Sequence, residues 1–342
     1  LYHLPYISIL NNEKIIFGSV NLHFRFGHVS SLQYLSSIFN NLIFNDNGIL
    51  IPLTIIYSSS ILFFYEEFKG SKNNLLLKFF NFLCLIFILT SMNRYGELGN
   101  DDPATIVCLI TIYYFLKNFL SKEESSNELF KKLLIFSSYT FLIKQFYALL
   151  ILFIIYFIFK SYKKIKLINF SNSFSVMFVF LWLIKNLIST GCVLYPVTFT
   201  CFDKLPWSAS KTFNDPKLVS ISSEAWAKAY PDRTDLSKNE LEYISDNEWI
   251  LTWFKENPKI IIQNLSPLIF IGLMVILLNI NHLQLNKKTE KILKIVLILK
   301  LLVSSYWFLK FPTYRYGSGY LGIFFITLIL IVFEKINFTK KI

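Results

Sequence analysis

An all-α integral membrane bundle with several spans is the fold class this chain predicts, and three observations carry it. Of its 342 residues, 54% are hydrophobic and 18% aromatic. Mean hydropathy is +0.48, more apolar surface than a soluble domain needs to fill a core. Second, the apolar residues lie in nine runs, 48–65, 75–92, 103–120, 132–143, 147–161, 170–188, 259–280, 292–309 and 318–335. A hydrocarbon layer of about 30 Å calls for roughly 20 helical residues, and lipid offers backbone groups no water, so helix is the default. No ten-residue alternation suggests a barrel. Third, lysines recur in every second loop: Lys69 and Lys72; Lys122, Lys131 and Lys132; Lys160, Lys163, Lys164 and Lys166; Lys287, Lys288, Lys291 and Lys294; Lys335, Lys340 and Lys341. Nine alternating spans put these loops on one side, cytoplasmic by the positive-inside rule. The same pattern accounts for the net charge of +12 without nucleic acid as a partner.

The chain opens at Leu1 with no charged signal region and reads as a fragment entered partway through a protein. Residues 1–46 form a first outer loop. Within it Val29 to Phe44 places Leu32, Leu35, Ile38, Phe39, Leu42 and Ile43 at helical spacing between Ser, Gln and Asn. That pattern fits an amphipathic helix lying in the membrane interface, or equally one packed on the bundle. Residues 47–188 hold six spans. The short run 132–143 is expected to form a tight hairpin with 147–161, turning near Lys144 and Gln145. Residues 189–258 form a soluble outer segment carrying Trp207, Trp226, Trp249 and Trp253, and 259–342 hold the last three spans. Cys84 and Cys108 fall in apolar runs and read as core. Cys192 and Cys201 share one outer loop, where a disulfide and two free thiols both remain open.

Candidate chemistry collects on the side opposite the lysines. Glu97, Asp101 and Asp102 precede Pro103 at the start of a span. A carboxylate there suits a general base or a ligand for a divalent cation, Asp101 and Asp102 being the possible metal pair; it suits a plain helix N-cap as well. Tyr2, His3 and His23 lie in the first outer loop beside Arg25, a fixed charge among aromatics that can grip a phosphate through two hydrogen bonds. Arg94, Lys144, Lys185, Lys310 and Arg315, the last between Tyr314 and Tyr316, complete a ring of outer cations suited to an anionic lipid phosphate. Snorkelling to headgroups explains such cations too. Lys300 falls mid-span, where charge is expensive. No phosphate-binding glycine loop, dinucleotide fingerprint or serine-hydrolase elbow occurs.

The stretches Tyr2 to Ile7 (YHLPYI) and Gly18 to Ser31 (GSVNLHFRFGHVSS), followed in order by the acidic turn, the Lys144 hairpin, Lys185 to Pro196 (KNLISTGCVLYP) and Pro312 to Gly319 (PTYRYGSG), resemble the GT-C superfamily of multi-pass glycosyltransferases. More narrowly they resemble a bacterial branch of it. The resemblance covers most of the chain, with its first two stretches the more specific. It implies a GT-C-like bundle with interfacial helices in the first outer loop. The implied activity is transfer of a sugar from a polyprenyl-phosphate donor to a lipid-linked or cell-surface glycan. The implied location is the extracytoplasmic face of the bacterial inner membrane. It also implies a main acidic residue upstream of Leu1, with Asp101 or Asp102 a second acidic site. A polysaccharide polymerase or ligase and a lipid-linked-glycan transporter are the alternatives. The first would lean on more outer arginines and the second on a polar path through the spans.

Overall fold

The computed structural model describes residues 3–13, 16–28, 30–70, 74–91, 98–121, 123–212, 214–278 and 287–334. It is helical throughout, with no strand among the described residues beyond one isolated bridge between Cys192 and Cys201. The first outer loop holds α1 (His3–Asn12), two short 3-10 turns and α2 (Ser31–Phe39). The bundle follows as α3 (Ile51–Gly70), α4 (Leu75–Thr90), α5 (Asp101–Leu120), α6 (Ser126–Ile143), α7 (Ile151–Ser161, flanked by 3-10 turns) and α8 (Phe170–Thr190). The outer segment contributes α9 (Pro216–Ala227) and α10 (Glu240–Ser245). Then come α11 (Glu248–Leu278), α12 (Lys287–Lys310) and α13 (Tyr314–Glu334).

Every one of the nine apolar runs becomes a helix, but among the described residues seven, not nine, are both long and apolar enough to cross a membrane. This is a multi-span helical membrane protein. The exceptions have simple causes. Helix α4 has 16 residues, about 24 Å at 1.5 Å per residue. Helix α6 has 18 residues but opens with Glu128, Lys131 and Lys132. Both nonetheless run from one end of the bundle to the other. Helix α6 starts where Lys132 pairs with Glu124, which also pairs with Lys117 near the close of α5. It ends where Lys144 pairs with Asp101 at the start of α5. The chain then turns at Lys144 and Gln145 and returns, so that the Lys166 amide donates to Asn127 and Asn118 meets Ser161. The predicted hairpin is therefore present, and the lysines of these connections gather at the Lys117 end.

Helix α5 is the axis of the bundle. All its residues from Pro103 to Lys117 are buried, against α3, α4, α6 and α13. Asn100, not Asp101 or Asp102, occupies its N-cap position, while the two aspartates fill the first turn, where carboxylates favour the positive helix end. Lys300 is buried among these helices: its Nζ lies 3.8 Å from Cys108 Sγ and 4.9 and 5.1 Å from the Tyr320 and Phe153 ring centres. It is satisfied inside the bundle, not by reaching outward.

The first outer loop departs from the sequence expectation. The amphipathic stretch is helical for nine residues, Ser31–Phe39. Asn41 stops it, its side-chain oxygen accepting from the amides of Ile43 and Phe44. Leu32 is buried in the main core and Leu35 packs on it, whereas Ile38, Leu42 and Ile43 are 65, 99 and 80% exposed. One stretch thus serves both readings: its start packs on the bundle and its end offers bare apolar side chains.

The outer segment is stapled by a Cys192–Cys201 disulfide, which closes the question left by the sequence. Gly191 ends α8 at φ +79°, and a Cβ there would lie 2.8 Å from the Ser208 backbone, so both conformation and space require glycine. The first loop clamps onto this segment. Asn21 donates to the Trp207 carbonyl, Asn214 donates to the Val20 carbonyl, and the His28 ring sits 5.3 Å from that of Tyr195. Farther along, buried Glu224 binds Lys228 at 2.7 Å and Lys310 at 3.0 Å, fixing α9 over the end of α12. Three of the four tryptophans expected on a soluble surface are not free there. Trp249 and Trp253 belong to α11 and are buried with Trp307 and Tyr243. Trp207 donates its indole N–H to the Leu187 carbonyl. Only Trp226 stays open, 53% exposed.

Candidate functional site

The structure brings Asp101, Lys144 and Arg315 together from three distant stretches. Asp101 stands in the first turn of α5, Lys144 at the α6 hairpin turn and Arg315 at the start of α13. One Asp101 oxygen pairs with Lys144, and Arg315 Nε lies 3.4 Å from the other. Tyr316 organises both cations: its ring centre is 4.0 Å from Lys144 Nζ and 5.0 Å from Arg315 Cζ, and its hydroxyl is 3.2 Å from an Arg315 amino nitrogen.

Below the ion pairs a buried hydroxyl network fixes the helix ends. Thr105 donates to the Asp101 carbonyl, and its oxygen lies 2.9 Å from both the Tyr147 and the Ser318 hydroxyls. This joins α5, the α7 segment and α13 just beneath the site. Such a network is costly when incomplete and rigid when satisfied. Asp102 points to a different space, a narrow cavity shared with Ser91, Thr105, Tyr314 and Ser318.

His3 and Arg25 join from the first loop. Gln33 completes the capping box of α2 by accepting from the Ser30 amide, which leaves its amide nitrogen to donate to His3 Nδ1 at 2.7 Å. An amide nitrogen only donates, so neutral His3 carries its proton on Nε2. Burial, followed by positive charge nearby that includes Arg315, Arg25 and Lys144, pulls His3 from 6.5 down to about 4. His28 keeps an edge in solvent, yet the protein crowded about it comes first, and Lys144, Arg25 and Lys185 next, in bringing it to about 4 as well. Both imidazoles are thereby favoured in the neutral form, by burial first and by nearby cations second, Arg25 and Lys144 among them in both cases. Arg25 also stacks on Phe24 at 5.5 Å.

His23 is not brought in. It stacks on Phe24 at 4.9 Å and its Nδ1 accepts the Arg25 backbone N–H, so it serves the local turn. Tyr2, Arg94 and Glu97 lie outside the described residues. No three His, Cys, Asp or Glu side chains gather among the described residues, and Asp101 faces two cations. Gln33 and Tyr316 are the contributors that sequence reasoning missed; the capping-box spacing from Ser30 to Gln33 was the signal for the first.

Beside Arg315 the surface opens into a groove of about 410 Å3. Its walls are the outer segment at Trp226 and Asp232, α11 at Asn257 and Asn264, and the link into α13 at Thr313 to Arg315. Arg315, 43% exposed, belongs to both groove and ion-pair site.

No curated protein and no solved structure matches the chain. A family model described as a domain of unknown function, DUF8201, matches residues 1–322; the protein with this cationic site therefore belongs to the DUF8201 family.

Proposed function

We propose that this protein is a membrane glycosyltransferase of the GT-C type, moving a sugar from a polyprenyl-phosphate donor to a lipid-linked or cell-surface glycan. The observation that carries the proposal is the convergence of Lys144 and Arg315 on Asp101, with Arg25 close enough to act on the same histidine. Two cations stand side by side there, at one end of an apolar bundle, an arrangement suited to an anionic lipid headgroup.

In this reading the acceptor hydroxyl attacks the anomeric carbon as the bond from that carbon to the phosphate oxygen breaks, inverting the configuration. Asp102, whose cavity shares Tyr314 with the groove beside Arg315, takes the hydroxyl proton. The departing polyprenyl phosphate keeps the bonding electrons, and Lys144, Arg315 and Arg25 stabilise its charge in a preorganised setting. Asp101, with both oxygens engaged, positions Lys144 and Arg315. The bare side chains of Ile38, Leu42 and Ile43 supply an interfacial surface beside which a prenyl tail can enter. The Cys192–Cys201 disulfide favours the extracytoplasmic side for this end of the bundle, and the lysines at the other end favour the cytoplasm.

The test is transfer in membranes from radiolabelled polyprenyl-phosphate hexose and N-acetylhexosamine, following release of polyprenyl phosphate. Release by wild type, lost in Asp102→Asn and Arg315→Ala at normal membrane levels, is expected. Release undiminished in both variants would contradict the assignment.

A further inference from the structure

The groove beside Arg315 meets the phosphate only through Arg315, and the rest of its lining has a chemistry of its own. Trp226 presents an open indole face, 53% exposed, with Arg315 Cζ 5.8 Å from its ring centre. That exposure stands out because Trp249, Trp253 and Trp307 are each 4% exposed. Across from it Asn257 and Asn264 stand seven residues apart on one face of α11, about 10 Å along its axis. Each amide nitrogen donates to its own helix, Asn257 to the Trp253 carbonyl and Asn264 to the Ile260 carbonyl. Neither side-chain oxygen accepts a hydrogen bond among the described residues, though both border the groove. Exposed Asp232 adds a carboxylate, and Ile260, Ala227, Ala229 and Pro231 give the groove an apolar floor between its polar groups.

An aromatic platform facing carboxamide and carboxylate acceptors is what a polyhydroxyl ring recognises: its C–H face packs on the indole while its hydroxyls donate to the oxygens opposite. Polyprenyl chains would find three polar acceptors along their path with nothing to bind them. A phosphate would meet Asp232 at one end.

We propose that this groove is the acceptor subsite and that it takes a neutral oligosaccharide, with Trp226 as its stacking platform and Asn257, Asn264 and Asp232 as acceptors for its hydroxyls. Arg315, shared with the ion-pair site, is the point where the glycan reaches the donor. The acceptor role rests on the glycosyl-transfer reading; glycan binding by the groove does not.

The experiment separates the two. Purified full-length protein in nanodiscs is passed over an array of immobilised hexose, N-acetylhexosamine and deoxyhexose oligomers, with polyprenyl phosphate bound in a parallel assay. Wild type should retain at least one glycan class. Trp226→Ala should weaken retention about tenfold or more, while Trp226→Phe keeps most of it because the ring face survives. His23→Gln, which touches only the local turn of the first loop, should leave retention intact. Since Trp226 is open to solvent, unchanged thermal melting of Trp226→Ala is expected. If that variant melts with wild type yet retains glycan equally, or wild type retains none, the subsite is overturned. Loss of polyprenyl phosphate in Trp226→Ala with glycan unaffected would reassign the groove to lipid. Glycan retention without any sugar transfer would leave the subsite standing and remove the enzymatic reading.

Discussion

The two ends of α5 hold similar side chains to opposite effect. At the Lys117 end, Lys117 and Lys132 meet Glu67 and Glu124, with Lys117 Nζ 2.7 Å from Glu124 and 3.4 Å from Glu67, and Tyr113 donates to Glu67. Two cations face two carboxylates, and the Lys117 side chain is 7% exposed. At the Asp101 end, Lys144 and Arg315 share one carboxylate while Arg25 and Lys185 bear on the adjacent histidines. The first cluster is closed and charge-balanced, which ties three connections together. The second also holds Asp102 and opens through Arg315 onto a groove. A closed cluster makes a joint; one open at a surface makes a binding site.

The largest expected break in this contrast is kinetic. Arg315→Ala or Lys144→Ala should lower sugar transfer by roughly 100- to 1,000-fold, the scale of losing one preorganised donor to developing charge, with little loss of folded protein. Lys117→Ala should do the reverse. It leaves Glu67 and Glu124 without their shared cation, which costs about 3–5 kcal/mol for a buried pair, so thermal stability in detergent should fall sharply while the polyprenyl-phosphate affinity of the surviving protein holds. A third, smaller effect concerns the outer segment. Replacing Cys192 and Cys201 with Ser opens a short loop, a loss of about 2–3 kcal/mol, readable as faster proteolysis within 191–215.

The smallest effect sharpens the electrostatics. His3 and His28 titrate near 4 in the fold instead of 6.5. Their folded pKa lies below the unfolded one, so unfolded chains bind protons first. The stability linked to these histidines is complete above about 6.5, declines as pH falls towards 4, and changes little below that. Hydrogen exchange of the first outer loop should rise over that window and flatten in a His3→Gln, His28→Gln variant. An unchanged pH dependence in that variant would show that these two rings are not the groups titrating over the window.

How much of this was legible in the chain follows from what each feature depends on. Helices at all nine apolar runs, the hairpin at Lys144 and the gathering of the loop lysines depend on hydropathy, length and charge counts, which are local properties. Which runs are too short or too polar to cross by themselves turned on where helices start: the polar first turns of α6 belong to the helix although they look like loop. The site was half legible. Asp101, Lys144 and Arg315 each stood out as a charge at a span end, but their meeting is tertiary. So is the fate of the tryptophans, since nothing in the residues around Trp249 and Trp253 says that α11 starts eleven residues before the apolar run and buries both. Gln33 looked like a polar spacer because its partner, His3, is thirty residues away.

The contrast between the two ends reduces to one comparison of affinities. Polyprenyl phosphate and the matching uncharged polyprenol should be titrated against wild type, Arg315→Ala and Lys117→Ala in nanodiscs of neutral lipid. A clear preference for the phosphate in wild type and Lys117→Ala, abolished in Arg315→Ala, is the predicted result. Equal binding of the two lipids by wild type, or a preference that survives Arg315→Ala and disappears in Lys117→Ala, would contradict the account.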